Sequence, residues 1–329
     1  MAVYLVRRIV AMLLTLVALT VLVFLLFQAL PADPAALTCG RSCNPQVIAQ
    51  NRVRLGYDKS LPVQYGTFIK GIFVGRDYGT GAAKFHCDAP CLGYSFQQGQ
   101  DVRTMITSRF PVTAVESLGA CVIWLFFGTL FGVIAALRRG RWQDRSLMGF
   151  ALVGYSFPTF FIGLILLYFV VFKFQIMAYP AYTPFADDPA AWLKSFILPW
   201  ITLASVYAAF YARLTRNQML DTLGEDYIRT ARAKGLSEAR VIGRHGLRAG
   251  LTPIVTAAGL DLATLLGGVV ITEAVFGLPG LGQLVIQSVL EADLPLIIAL
   301  VLVASTIVIV LNLVVDLLYA VLDPRVRLT

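Results

Sequence analysis

The run LPLIIALVLVASTIVIVLNLVV, residues 294–315, lies between Asp293 and Asp316 and contains 22 residues without a charged side chain. A helix needs about 20 mostly apolar residues, at ~1.5 Å each, to cross a hydrocarbon core of ~30 Å. Further uncharged runs of at least 18 residues are 9–32, 117–137, 146–172 and 195–212. A sixth run, 249–272, qualifies if Asp261 is tolerated in its middle. The sequence therefore predicts an all-α membrane protein with six transmembrane helices.

Composition excludes most other classes of protein. Of the 329 residues, 58% are hydrophobic and 14% are charged, whereas soluble domains have roughly 25% charged residues. A soluble enzyme, a nucleic-acid-binding protein and a disordered chain are thereby excluded. The sequence lacks the phosphate-binding motif G-x-x-x-x-G-K-[ST], so the chain cannot hydrolyse ATP alone. We expect no enzymatic activity, no metal site and no bound cofactor.

The distribution of basic residues predicts the topology. With six spans, sixteen of the 27 Lys and Arg residues lie on the same side as the amino terminus, concentrated in short loops. Short loops rich in Lys and Arg are retained in the cytoplasm, so we expect both termini there. The chain then divides into an N-terminal transmembrane helix (1–30), an extracytoplasmic insert (31–108) and a five-helix core (109–329). The core includes a cytoplasmic loop at 217–248.

Four cysteines of the insert form two C-x3-C motifs, Cys39 with Cys43 and Cys87 with Cys91. On an oxidising face of the membrane such cysteines are expected to form disulfides. Each motif could close on itself, or the two motifs could pair with each other, which would close a longer loop and stabilise it more. The alternative is a metal site, although C-x3-C is not the usual zinc spacing. Cys121 lies alone in the second span and is expected to be an unpaired packing residue.

The cytoplasmic loop predicts two short helices, because Gly235 is a helix-ending signal and Ser237 a helix-starting signal. One face of the first helix, at i, i+4 and i+7 spacing, contains Tyr227, Ala231 and Lys234, with Ile228 beside them. Such a face suits insertion into a groove on another protein. The alternative is a basic loop lying on lipid headgroups.

Four segments together resemble one protein family. DYIRTARAKGL, residues 226–236, is similar to the E-A-A-x3-G loop of ABC-importer membrane subunits, in the form typical of B-type permeases of the dipeptide/oligopeptide branch. Further resembling segments are EAVFGLPGLG (273–282), NLVVDLLYAVLDPR (312–325) and LRRGRWQDR (137–145). Arg229 replaces the Glu of the general motif, and Arg248 stands at its final Pro; both departures fit the peptide branch. The insert from 38 to 100 is not covered by the resemblance.

The resemblance implies a type I ABC importer permease fold in a bacterial inner membrane. It implies a sister C-type permease, two ATPase subunits that bind ATP and Mg²⁺, and an extracytoplasmic peptide-binding lipoprotein. The expected function is ATP-driven import of di- to oligopeptides. The alternatives are a transporter of the same type for glutathione, haem or a metal chelate, and an ATP-independent secondary carrier. The resemblance assigns the ATPase-coupling helix to Tyr227, Ile228, Arg229, Thr230, Ala231, Ala233, Lys234, Gly235 and Leu236.

Three polar or helix-breaking residues within the spans are candidates for the translocation pathway. Asp261 would cost ~2.5 kcal/mol or more if it faced lipid. Its carboxylate could attract the ammonium group of a peptide, or it could form a hydrogen bond between helices. Ser156 and Pro158 could turn a backbone carbonyl toward the pathway, or merely kink the helix. Glu273 is expected to anchor the outer turn that follows it.

Aromatic and basic side chains of the insert predict a contact with the docked binding protein. These residues are Tyr57, Phe68, Phe73, Arg76, Tyr78 and Tyr94. A disulfide-closed loop loses less entropy on docking than a flexible one. The alternative is a cap that only stabilises the first span.

Overall fold

Helices dominate the computed structural model, which describes residues 2–29, 35, 44–56, 58–78 and 85–322. The helices are α1 Ala2–Ala29, α2 Pro45–Leu55, α3 Leu61–Val74, α4 Val102–Leu137, α5 Trp142–Ser156, α6 Thr159–Leu166, α7 Pro189–Gly224, α8 Asp226–Ala233, α9 Glu238–Arg240, α10 Arg248–Leu266, α11 Val270–Phe276, α12 Leu281–Leu290 and α13 Leu294–Leu322. Helical turns of π type, Leu167–Lys173 and Val241–Leu247, continue α6 and α9. The strands are β1 Arg76–Tyr78, β2 Phe85–Cys87, β3 Tyr94–Ser95 and β4 Gln100–Asp101.

The predicted spans fall into two groups. Among the described residues, four continuous helices are long and apolar enough to cross a membrane. They are Val6–Leu25, Val102–Leu137, Pro189–Gly224 and Leu294–Leu317. The other two predicted spans are bent helix pairs, α5 with α6 at 100° and α10 with α11 at 58°. The described residues therefore contain four helices that could span a membrane, or up to six if each bent pair crosses as one.

Local sequence explains both breaks. Pro158 follows Ser156 and Phe157, and proline disfavours the helical conformation of the residue before it, so α5 ends at Ser156. Gly267 and Gly268 separate α10 from α11. The helix α4 begins at Val102, whereas the predicted boundary between the insert and the core lies at residue 109. Residues 102–108 are therefore part of the same helix as the start of the core.

The core forms where α4, α7 and α10 meet. Its buried side chains include Trp124 and Tyr211, which are fully buried, together with Leu203 and Ile254. Close approach of α4 to α7 depends on Gly132, where an added Cβ would lie 2.7 Å from the Ala212 carbonyl oxygen. Small residues at helix crossings allow this close packing in membranes.

The described residues between α1 and α4 include α2, α3 and two antiparallel strand pairs, β1–β2 and β3–β4. A disulfide joins Cys87 to Cys91, so this C-x3-C motif closes on itself. Cys39 and Cys43 lie outside the described residues, and Cys121 is free and buried. Two hydrogen bonds attach the β3–β4 hairpin to the corner between α12 and α13. They join Ser95 to Asp293 and Gln98 to Glu291.

The first helix lies at the periphery and packs mainly on α13. Arg8 forms an ion pair with Asp316 of α13. At the other end of α1, the Thr20 and Tyr65 hydroxyls are 2.8 Å apart, and the Tyr65 ring packs edge-on against Phe24. These contacts attach α1 to the last span and to α3.

Candidate coupling segment and translocation pathway

The candidate coupling helix α8 follows α7 after one non-helical residue, Glu225. It ends at Ala233, Lys234 is the C-cap residue, and Gly235 adopts a left-handed conformation with φ +75°. The backbone N–H of Gly235 donates to the Arg232 carbonyl at 2.9 Å. A left-handed glycine after a helix is a common C-terminal cap, so the sequence signal at Gly235 predicted the end of the helix correctly.

The outward face of α8 differs from the predicted one. Ile228 is fully buried and Ala231 is 7% exposed, and both pack against Val241 of the following helical turn. The prediction that they belong to a face presented to a partner is wrong, because these apolar side chains pack against apolar residues of their own chain. The exposed coupling residues are Tyr227, Arg229, Thr230, Ala233, Lys234 and Gly235, while Leu236 is partly buried.

Ion pairs connect α8 to α9 and the preceding helix α7 to α5. Arg232 Nε is 2.8 Å from Glu238 Oε1, which joins α8 to α9. In α7, Arg216 makes two hydrogen bonds to the buried Asp144 of α5, at 2.6 and 2.9 Å. Asp144 also accepts the Gly140 N–H at 2.9 Å. Bidentate Arg–carboxylate pairs fix orientation as well as distance. The segment 137–145 was singled out in the sequence, but no local signal indicated Arg216 as its partner.

Asp261 contacts aromatic residues of the neighbouring helix. The Tyr211 hydroxyl of α7 donates to Asp261 Oδ2 at 2.6 Å. One turn earlier in α7, Tyr207 stacks on Trp124 of α4 with ring centroids 4.6 Å apart. The hydrogen bond between helices that the sequence allowed is therefore present. Sequence reasoning missed the three aromatic residues, since they are separated from Asp261 by 50 or more positions.

Ser156 and Pro158 lie at the bend between α5 and α6, whereas Asp261 lies in α10. The Ser156 hydroxyl donates to the Leu152 carbonyl at 2.7 Å. The Pro158 carbonyl accepts the N–H of Phe161 at 3.1 Å and of Ile162 at 3.3 Å. Both residues are exposed in the isolated chain, so the bend is available to substrate, lipid or another subunit.

Glu273 anchors the turn between α11 and α12, as predicted. Its carboxylate is fully buried and accepts the Thr113 hydroxyl at 2.6 Å and the Gln283 N–H at 2.9 Å. Thr113 in turn accepts the Leu281 N–H at 2.8 Å. Glu116 is also fully buried, and neither of its carboxylate oxygens has a hydrogen-bond partner in the described part of the chain.

Two family models match the chain. The description "binding-protein-dependent transport system inner membrane component" matches residues 128–328, and the N-terminal model of the same transport systems matches residues 1–118. The chain belongs to this family. The permease is therefore an inner-membrane component of a binding-protein-dependent transport system.

Curated relatives of the permease align over nearly their whole length. A putative peptide transport system permease protein of Brucella abortus is 38% identical over 309 residues, 93% of each chain. A probable peptide ABC transporter permease protein of Sinorhizobium fredii is 36% identical over 99% of this chain and 100% of its own. The glutathione transport system permease protein GsiC of Salmonella typhi is 40% identical over 98% of both chains.

A solved structure shares the fold of the permease. A chain of the MetNI methionine ABC transporter in an inward-facing conformation superimposes with a TM-score of 0.55 and 18% identity. The match covers 67% of this chain and 97% of the MetNI chain. The permease accordingly has the type I ABC importer permease fold, to which this chain adds further residues.

Proposed function

We propose that the permease forms one half of the translocation pathway of an ATP-driven importer of di- to oligopeptides. The main supporting observation is the geometry of α8. This helix follows the long helix α7, exposes basic side chains on one face and packs its apolar face against its own chain. A rigid helix of this kind can transmit a push from an ATPase to the spans. Peptide transport is named for relatives that align over most of the chain, which supports the substrate class.

The proposed assembly contains a sister C-type permease, two ATPase subunits and an extracytoplasmic peptide-binding lipoprotein. The ATPases supply ATP and Mg²⁺ chemistry, and this chain supplies none. Both termini lie in the cytoplasm in this proposal, with α8 on the same side. Tyr227, Arg229 and Lys234 are exposed on α8 and contact the ATPase. Nucleotide then biases a two-state rearrangement of the spans, as in other switching transporters.

Movement of α8 reaches the membrane by two connections. The first is the short link to α7, where the Glu225 N–H donates to the Thr222 carbonyl at 3.2 Å. The second is the Arg216–Asp144 pair, which attaches α7 to α5. The pathway lies alongside these helices and includes Asp261, together with Ser156 and Pro158 at the α5–α6 bend.

The insert contacts the docked binding protein in this proposal. Support comes from the turn closed by the Cys87–Cys91 disulfide and from the attachment of the β3–β4 hairpin to the α12–α13 corner through Ser95 and Gln98. A surface that is already ordered loses less entropy on docking than a flexible one. In a purified complex, Phe73→Ala changes a side chain that is 77% exposed. It should weaken stimulation of ATP hydrolysis by the loaded binding protein and leave basal hydrolysis unchanged; unchanged stimulation would indicate a structural cap.

Glutathione is the second candidate substrate, because GsiC is named for glutathione transport and is 40% identical. Glutathione is itself a tripeptide, so both candidates share the same chemistry. Uptake of labelled dipeptide, tripeptide and glutathione into proteoliposomes that contain the whole complex separates them.

The experiment that tests the function combines assembly with transport. The permease is co-expressed with its presumed partner subunits, purified through a tag on this chain and reconstituted with the binding protein. We expect co-purification of two ATPases and peptide uptake that requires ATP. Arg229→Glu, at a side chain 74% exposed, should reduce both, whereas the matched charge reversal Arg145→Glu, at an exposed position in the first turn of α5, should not. Uptake without ATP or without ATPase subunits would indicate a secondary carrier instead.

A further inference from the structure

Among the described residues, only one of the two carboxylate oxygens of Asp261 has a hydrogen-bond partner. Oδ2 accepts the Tyr211 hydroxyl at 2.6 Å, while Oδ1 has no hydrogen-bond partner in the part of the chain that the structure describes. The residue is partly exposed on α10, in the middle of an otherwise uncharged run. Ionisable residues within membrane helices face a cavity or a partner, because a charge facing lipid is costly.

In the part of the chain that the structure describes, no basic side chain pairs with this carboxylate. None of the ion pairs formed by described residues includes Asp261. Among the described residues, the Tyr211 hydroxyl is its hydrogen-bond partner, and Tyr207 and Cys121 lie near it. The site therefore has an unmatched negative group whose natural complement is a cation.

Two tyrosines of α7 lie near the carboxylate. Tyr207 and Tyr211 lie one turn apart on α7, and Tyr207 stacks on the buried Trp124 at 4.6 Å. The stacking restricts the Tyr207 ring, and the Tyr211 hydrogen bond orients the carboxylate. Aromatic faces attract ammonium groups through their negative quadrupole, most strongly where water is excluded. A carboxylate with adjoining aromatic rings is thus suited to a primary ammonium rather than to an anion.

We propose that Asp261, oriented by Tyr211 and flanked by Tyr207, is a subsite for the protonated amine of the transported peptide. This inference rests on the proposed function and names the end of the substrate that the pathway recognises. A free peptide amine has a pKa of about 7.7–8.0 and is largely protonated at neutral pH. The same subsite accepts glutathione, which has a free amine, and discriminates against N-acylated peptides.

The test measures peptide binding to the permease complex without the binding protein, so that recognition by the binding protein does not contribute. Saturation-transfer NMR is recorded on the complex in nanodiscs with Ala-Phe and with N-acetyl-Ala-Phe. We expect the free amine to bind at least tenfold more tightly, since a charge-assisted contact is worth about that factor. Asp261→Asn should reduce the ratio to about one, and Asp261→Glu should retain a clear preference for the free amine.

Tyr211→Phe removes only the orienting hydroxyl and should reduce the preference about threefold or more. Thr264→Val, on the same helix at an exposed position, is the matched control and should leave it unchanged. Equal binding of the two peptides to the wild type, or no binding of either, would overturn the subsite. If the Asp261→Asn variant fails to assemble, the subsite is tested by the Tyr211→Phe variant and by binding of Ala-Phe and N-acetyl-Ala-Phe to the wild-type complex. ATP-dependent peptide uptake without any amine preference would refute the subsite and leave the proposed function standing.

Discussion

Alanine at Gly280 should disrupt the turn between α11 and α12. An added Cβ at Gly280 would overlap the Glu273 carboxylate, meeting both of its oxygens. Glu273 is fully buried and packed between α4 and α12, so its carboxylate cannot move away without losing its hydrogen bonds. The substitution therefore acts through Glu273 rather than through the backbone at position 280.

The magnitude follows from the groups that would lose their acceptor. These are the Thr113 hydroxyl at 2.6 Å and the Gln283 N–H at 2.9 Å. Hydrogen bonds to charged groups contribute about 1.5–3 kcal/mol each, so loss of both costs about 3–6 kcal/mol. The apparent melting temperature of the complex should fall by at least about 5 °C, and ATP-dependent uptake should fall with it.

The assay is thermal unfolding of the purified complex in detergent, together with uptake into proteoliposomes. Gly149→Ala is the matched control, because nothing lies within 4 Å of an added Cβ at this helical position. This control substitution should leave the free energy of unfolding unchanged or raise it by about 0.5–1 kcal/mol. In a Glu273→Ala background, Gly280→Ala should add little further destabilisation. If Gly280→Ala is as stable as Gly149→Ala, the proposed overlap is wrong.

Gly235→Val should uncouple ATP hydrolysis from uptake, because φ is +75° there. Gly235→Asn should retain coupling, because asparagine tolerates that conformation. Wild-type transport by the Gly235→Val variant would contradict the role of Gly235 in coupling. Glu116→Met should raise the apparent melting temperature by removing a buried acid that lacks partners, and a lower value would oppose it. Alkylation without reduction, read by mass spectrometry, should label Cys121 alone, whereas labelling of four or five cysteines rejects the disulfides. Burial raises the pKa of Asp293, so its stabilising contribution is complete at low pH and lost as pH rises through the folded-state pKa. The melting temperature of Asp293→Asn minus that of the wild type should therefore increase from pH 4.5 to 7.5, and a decrease refutes it.

Much of the candidate site was predictable because its signals are local. The end of α8 at Gly235 depends on one residue and its immediate neighbours, and the anchoring role of Glu273 follows from its place before a Gly-Leu-Pro-Gly turn. The partners of these residues were not predictable. Glu273 bonds to Thr113 across 160 positions, and Arg216 to Asp144 across 72. No period or spacing in the sequence relates such pairs.

The sequence by itself determined the membrane class, the positions of the apolar runs and the family segments, because a helix that crosses hydrocarbon must be long and mostly apolar. Tertiary structure alone decided which side of each helix packs against other segments of the chain. Ile228 and Ala231 face their own chain because Val241 packs against them. Hydrophobicity measures the tendency of a residue to leave water, but the surface that receives it is formed only when distant segments pack together.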